Sequence, residues 1–211
     1  MEVELCAGLS PERPVLIAVT SESVTEKESD KIDALLRGGF HRVHLRHPEA
    51  SAETLRLILE ELPAEHQARI MLHSRFELAA DYTLGGLHLN HRHPAPPAGY
   101  RGPLSRSCHS VKEVMQADPL LSYVTLSPIF DSISKNGYRS GFNDLDSLSV
   151  ALASAPVPVI ALGGISPERL SELSSCPFSG YAMLGSIPWD DTPEEIERFA
   201  VKTVKLLQIK R

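Results

Sequence analysis

Eight short apolar or β-branched runs set the tightest limit on what this chain can fold into. They fall at 15–20, 41–46, 70–73, 86–90, 104–107, 123–126, 157–162 and 180–184. Each is followed by a helical pattern or by a loop in its place. Strands that alternate with helices pair in parallel, as an open doubly wound sheet or a closed eight-fold barrel. Eight units at roughly 25 residues each favour the α/β barrel, the (β/α)8 TIM-barrel class, with few insertions.

Local signals place the helices. A pattern over 26–37 ends at Gly38 and Gly39, a glycine stop. Ser51 caps a helix that carries Leu55, Ile58, Leu59 and Leu62 on one face. A helix starts near Arg75, whereas the proline-rich stretch 93–103 replaces one. Ser110 and Glu113 form a capping box. After a polar loop reaching about 143, helices are expected over 145–153, from Ser166-Pro167-Glu168, and from Thr192 to about 207. No linker interrupts the series, so 1–211 reads as one domain.

Composition then narrows the function classes. The 211 residues carry a net charge of −6 with no basic stripe, which argues against a duplex nucleic-acid binder. Cys6, Cys108 and Cys176 form no C-x-x-C pair, so neither a disulfide framework nor a thiolate zinc site is expected. A reducing cytoplasm fits this usage. The acidic start lacks the marks of a signal peptide, and no apolar run approaches the ~20 residues of a membrane span.

In a barrel of this kind, chemistry sits at the C-terminal ends of the strands. Gly163 and Gly164 leave strand seven, and Gly185 and Ser186 leave strand eight. Glycine turns there let backbone N–H groups approach a phosphate, the alternative being tight turns alone. His44 and Arg46 lie two apart on strand two and share a face. The fork of Arg46 suits a phosphate, or else a neighbouring carboxylate. Loop six is rich in hydroxyls and ends at Lys135, where an ammonium could close over a phosphorylated substrate, the equal alternative being a solvated surface loop. His41, His44, His47, His88, His91 and His93 fall in two clusters, but neither has a defined zinc-ligand spacing. Ser107, Cys108 and His109 do not make a catalytic triad, because adjacent strand residues point to opposite faces.

These segments together resemble the thiamine-phosphate synthase and TenI family. Val43-His44-Leu45-Arg46 is similar to its V-Q-L-R, and Leu72-His73-Ser74-Arg75 with Leu78-Ala79 to its I-N-D-R…L-A. Gly86-Leu87-His88-Leu89 resembles G-V-H-L, and Ser107-Cys108-His109-Ser110 resembles S-x-H-[ST]. Tyr123-Val124, Leu126-Ser127-Pro128-Ile129-Phe130 and Lys135 follow the family's loop-six pattern. Val157 to Ile165 follows I-P-V-V-A-I-G-G-I.

The resemblance implies an eight-fold barrel that joins hydroxymethylpyrimidine diphosphate to hydroxyethylthiazole phosphate and releases pyrophosphate. It implies that Arg46 and Lys135 hold pyrophosphate, that Ser107 hydrogen-bonds near it, and that Gly164, Gly185 and Ser186 line a thiazole-phosphate cup. It also implies Mg²⁺, and its partners are these two small molecules rather than nucleic acid or membrane. A homo-oligomer stays open.

Three departures accompany it. Pro48 replaces the family's second basic residue, and the positions of its two metal-binding aspartates hold Ser74 and His93. The tautomerase's loop-six imidazole position is Pro128. Synthase, thiazole-phosphate tautomerase and non-catalytic binder are the three readings carried forward. The second needs a base titrating near neutrality, for which His44 and His73 are the candidates. If protonated, His47, His73 and His93 would supply counter-charge to pyrophosphate in place of Mg²⁺, or imidazoles would hold a softer divalent ion.

Overall fold

The computed structural model describes residues 9, 11–12, 14–130 and 145–209. Its sheet closes on itself in strand order β1 to β8, every neighbouring pair parallel. The strands are Val15–Val19 (β1), Arg42–Leu45 (β2), Ile70–Leu72 (β3), Gly86–Leu89 (β4), Leu104–Cys108 (β5), Tyr123–Leu126 (β6), Val159–Leu162 (β7) and Gly180–Met183 (β8). This is the TIM barrel, and the open doubly wound sheet is excluded.

The helices are Glu28–Arg37 (α1), Ala52–Glu61 (α2), Ala64–Gln67 (α3), Val111–Met115 (α4), Leu145–Leu152 (α5) and Pro193–Ile209 (α6). α1 stops as expected at its glycines. Phe40 N–H donates to Leu35 C=O and Gly39 N–H to Leu36 C=O, with Gly39 at φ +103°. That is a Schellman closure, and it needs the left-handed backbone at Gly39. Ser51 Oγ accepts from Thr54 N–H at the start of α2. Ser110 Oγ accepts from Glu113 N–H, and the Glu113 carboxylate reaches back to His109 N–H.

Two helix expectations are corrected, and one short helix was not expected. The segments after β3 and β7 are 3₁₀ turns, Phe76–Ala80 and Pro167–Leu173, rather than α-helices. Neither start carries a side-chain cap: Arg75, in the left-handed region, and Ser166 make no capping hydrogen bond. The short α3 was missed, because four residues carry no readable period.

Side chains alternate across each strand and divide the apolar residues into two clusters. Val43, Leu45, Ile70, Leu72, Leu87, Val124 and Ala161 face the helices and join the main core. Ile17, Val19, Met71, Tyr123, Ile160 and Ala182 form a smaller plug inside the barrel. A fully buried leucine or isoleucine contributes about 1.5–3 kcal/mol, so most of the apolar stabilisation lies outside the barrel wall. The interior is correspondingly polar: Arg42, His44, His88, Ser105 and Thr125 are buried there. Arg42 Nη1 donates to Gly85 C=O at 3.0 Å, low in the barrel.

Candidate active site

A cavity of about 440 Å³ opens at the C-terminal mouth, lined among others by Arg46, His44, His73, Ser74, Ser107 and Thr125. Of the residues expected to bear on function, Arg46, His44, His73 and Ser107 line this mouth. Leu162 and Leu184 line its far side. Gly163, Gly164, Gly185 and Ser186 continue directly from those two residues. Lys135, and loop six from 131 to 144, lie outside the described residues.

Arg46 follows the last residue of β2. Its backbone N–H donates to Thr20 Oγ1 at 2.8 Å, and Nη2 lies 3.3 Å from the exposed carboxylate of Glu22. Nη1 is buried and has no hydrogen-bond partner among the described residues. Ser74 Oγ and Thr125 Oγ1, in the same cavity, are also buried and unpartnered. Leaving such groups unpaired costs roughly 1–3 kcal/mol each, so a ligand that satisfied them would recover that cost.

The floor of the cavity holds three imidazoles from three adjacent strands. Their ligating atoms lie within 4.8 Å of one another at His44, His73 and His88. His44 Nδ1 is 2.8 Å from His73 Nε2, and His44 Nε2 is 2.6 Å from the Tyr123 hydroxyl. A neutral imidazole has one donor and one acceptor, so protons can be ordered along this line in either direction. The ring nitrogens of His88 each lie 2.8 Å from a serine hydroxyl, Nδ1 from Ser105 and Nε2 from Ser107. Asn90 Nδ2 donates to the carbonyls of His73 and His88, which ties the ends of β3 and β4.

Burial holds these rings neutral. It pushes His88 down to about 3. His44 lies well below 6.5 through burial, then His88 and Arg42, and His73 does so through burial, then His88, His44 and Arg46. Two expectations fall with this. Neither His44 nor His73 titrates near neutrality, and His73 is not a cation that could face pyrophosphate. His47 also lines the cavity, with its buried Nε2 3.2 Å from Glu28 Oε1. His93 remains at the cavity, half-buried, its ring centroid 5.3 Å from that of Phe76.

The two sequence clusters of histidines dissolve in three dimensions. His41 sits at the opposite end of β2, His91 is exposed, and the trio takes one member each from β2, the end of β3 and β4. Tyr123, Thr125, Ser105 and Asn90 were missed. Alternation on β5 and β6, read together with His44 on β2, was the available signal.

The loops after β7 and β8 pack on loop six and on each other. Gly163 has φ +94°, and a Cβ there would lie 2.8 Å from Pro128 Cα. The close approach that this glycine permits is to loop six itself: Ile129 N–H donates to Leu162 C=O and Phe130 N–H to Gly163 C=O. Ser186 Oγ donates to Ile165 C=O at 2.8 Å and joins the two loops.

Magnesium prefers hard oxygen ligands, usually carboxylates with water. Among the described residues lining the cavity there is no aspartate or glutamate, and the implied aspartate positions hold Ser74 and His93. This nitrogen-rich donor set does not fit Mg²⁺.

Relatives place the chain. It is 30% identical over 201 residues to the thiamine-phosphate synthase of Chlorobium luteolum, covering 90% of this chain and 92% of that one. With the thiamine phosphate pyrophosphorylase structure from Bacteroides thetaiotaomicron it shares 31% identity at a TM-score of 0.80, over 93% and 99% of the two chains. The thiamine phosphate pyrophosphorylase from Pyrococcus furiosus, at 17% identity and a TM-score of 0.73, covers 95% and 98% and shares the fold. Residues 15–187 match the family described as thiamine monophosphate synthase (TMP-TENI), and the chain belongs to that family.

Proposed function

We propose that this chain is a thiamine-phosphate synthase that couples hydroxymethylpyrimidine diphosphate to hydroxyethylthiazole phosphate. The observation that carries this reading is a group of buried, unpartnered atoms in the mouth cavity that includes Arg46 Nη1, Ser74 Oγ and Thr125 Oγ1. A guanidinium donor beside hydroxyl groups is matched to a diphosphate, whose oxygens accept every proton offered.

Cleavage of the pyrimidine C–O bond leaves a benzylic-type cation and pyrophosphate. The thiazole nitrogen then donates its electron pair to that carbon. Arg46 stabilises the charge that develops on the leaving group, and Ser107 donates beside it. Lys135 is assigned to the same phosphate. Gly163, Gly164, Gly185 and Ser186 are assigned to the thiazole phosphate, which holds the nitrogen in line with the reacting carbon. No step is assigned to Mg²⁺.

A second reading, thiazole-phosphate tautomerisation, draws on the Tyr123–His44–His73 hydrogen-bonded line, which could relay a proton. Incubating the protein with both substrates, with and without Mg²⁺, and following thiamine phosphate by chromatography tests the first reading. Absence of product under every condition overturns it. NMR of the thiazole phosphate tautomers then separates isomerase from binder.

A further inference from the structure

We propose that His44, His73 and His88 form a binding site for a late first-row divalent ion of the Zn²⁺ type, with one coordination position open to the mouth cavity. The site does not depend on which phosphate ester the cavity takes. One ring nitrogen from each residue already lies within 4.8 Å of the others, on three adjacent strands of a rigid barrel.

The partners of the far ring nitrogens indicate which atoms would ligate. Tyr123 holds His44 Nε2 and Ser105 holds His88 Nδ1, so His44 Nδ1, His73 Nε2 and His88 Nε2 are the ligand atoms we assign, the last by giving up its present partner, the Ser107 hydroxyl at 2.8 Å. Imidazole ligands in metal sites are commonly fixed through their second nitrogen in this way. At Zn–N distances of about 2.0–2.1 Å, tetrahedral ligand atoms stand roughly 3.3–3.4 Å apart. His44 Nδ1 and His73 Nε2, now 2.8 Å apart, need to separate by about half an ångström, a small ring rotation.

The donor set also selects the ion. Three imidazoles without a carboxylate suit zinc, cobalt or nickel and disfavour magnesium and calcium. Among the described residues no thiolate competes: Cys108 and Cys176 both lie in the outer core, and burial pushes the Cys108 thiol up to about 11. Three protein ligands with a fourth position facing solvent make an open site, able to take water or a phosphate oxygen. The rival arrangement is the hydrogen-bonded line alone, with no ion.

The experiment uses the full chain, stripped by a chelator and titrated in phosphate-free buffer with Zn²⁺, with Co²⁺ as a visible-absorption probe, and with Mg²⁺ as contrast. One Zn²⁺ per chain is expected, together with the d–d spectrum of four-coordinate Co²⁺ bound through nitrogen. His73→Gln and His88→Gln should each weaken Zn²⁺ binding by more than the roughly 10–100-fold expected for loss of the outer partner in Tyr123→Phe. His91→Gln and His93→Gln should retain it. No saturable Zn²⁺ binding by the wild-type chain overturns the proposal, as does binding that survives both ligand variants. The wild-type cobalt spectrum decides even if a buried-histidine variant fails to fold. Because no substrate is present, failure here leaves the synthase reading standing, and the converse also holds.

Discussion

Nε2 of His47 lies 3.2 Å from Oε1 of Glu28, both side chains buried, and so the loop after β2 is tied to the first turn of α1. The Glu28 carboxylate also accepts from Thr25 N–H at 2.7 Å and from the Thr25 hydroxyl. One side chain therefore starts a helix and holds a mouth loop. Glu28→Ala is expected to cost about 3 kcal/mol, the scale for breaking a buried pair and stranding its partner. Burial alone would raise this carboxyl, but His47 and Thr25 outweigh it and hold it below 4.5. Its contribution is present above that value and is lost as pH falls through the lowered one. Urea unfolding of both proteins at neutral and acid pH measures the difference, which should shrink in acid.

Arg46 has one paired nitrogen and one waiting. Arg46→Ala should lower kcat/KM for thiamine phosphate formation by roughly 100-fold or more, the scale for removing a donor to a developing anion. Arg46→Lys should recover only part, since an ammonium keeps the charge without the fork. Stability should change little, because the only salt bridge described for Arg46 is to exposed Glu22. Steady-state kinetics beside thermal melts checks both halves.

His41 titrates far from the mouth and offers a clean pH test. Burial, then Arg42 and Arg69, lower its imidazole from 6.5 to about 4. Between those values the unfolded chain binds the proton and the folded chain does not, so this contribution falls as pH drops below 6.5 and is complete above it. The slope is at most about 1.4 kcal/mol per pH unit and is reduced by partial exposure. His41→Asn should remove that slope and leave turnover unchanged. Paired denaturation curves between neutral pH and pH 5 give the answer.

Gly163→Ala places a Cβ against the backbone of Pro128 at a φ that L-residues rarely adopt. A loss of about 1–3 kcal/mol is expected, the cost of a strained backbone with a clash that does not relax. The KM for thiazole phosphate should rise with it, since the glycine loop moves. Melting temperature and KM, measured together, test this.

The barrel was legible because eight strand patterns and their glycine, serine and proline punctuation are local properties. His73 and Ser107 came only with the family resemblance, whereas His44 and Arg46 were legible as strand-end residues on one face. The histidine trio was not, because its members are 29 and 15 positions apart and meet only through the registers of β2, β3 and β4. His47 misled for the related reason that its partner, Glu28, lies in a different βα unit. The 3₁₀ turn after β7 escaped because the Ser166-Pro167-Glu168 signal marks where a helix begins, not whether it lasts.

Along β2, the residues at 43 and 45 join the outer core while those at 42, 44 and 46 face inward or reach the mouth. Parity along a strand thus divides two kinds of selection. Odd positions here are constrained by staying folded, and even positions by what the barrel binds. A lineage could therefore exchange glutamine for histidine, or aspartate for serine, on the inner face while its scaffold drifts at an unrelated rate. Changes of chemistry in this family would then arrive as runs of every-other-residue substitutions, without the stabilising changes elsewhere that a rebuilt core demands.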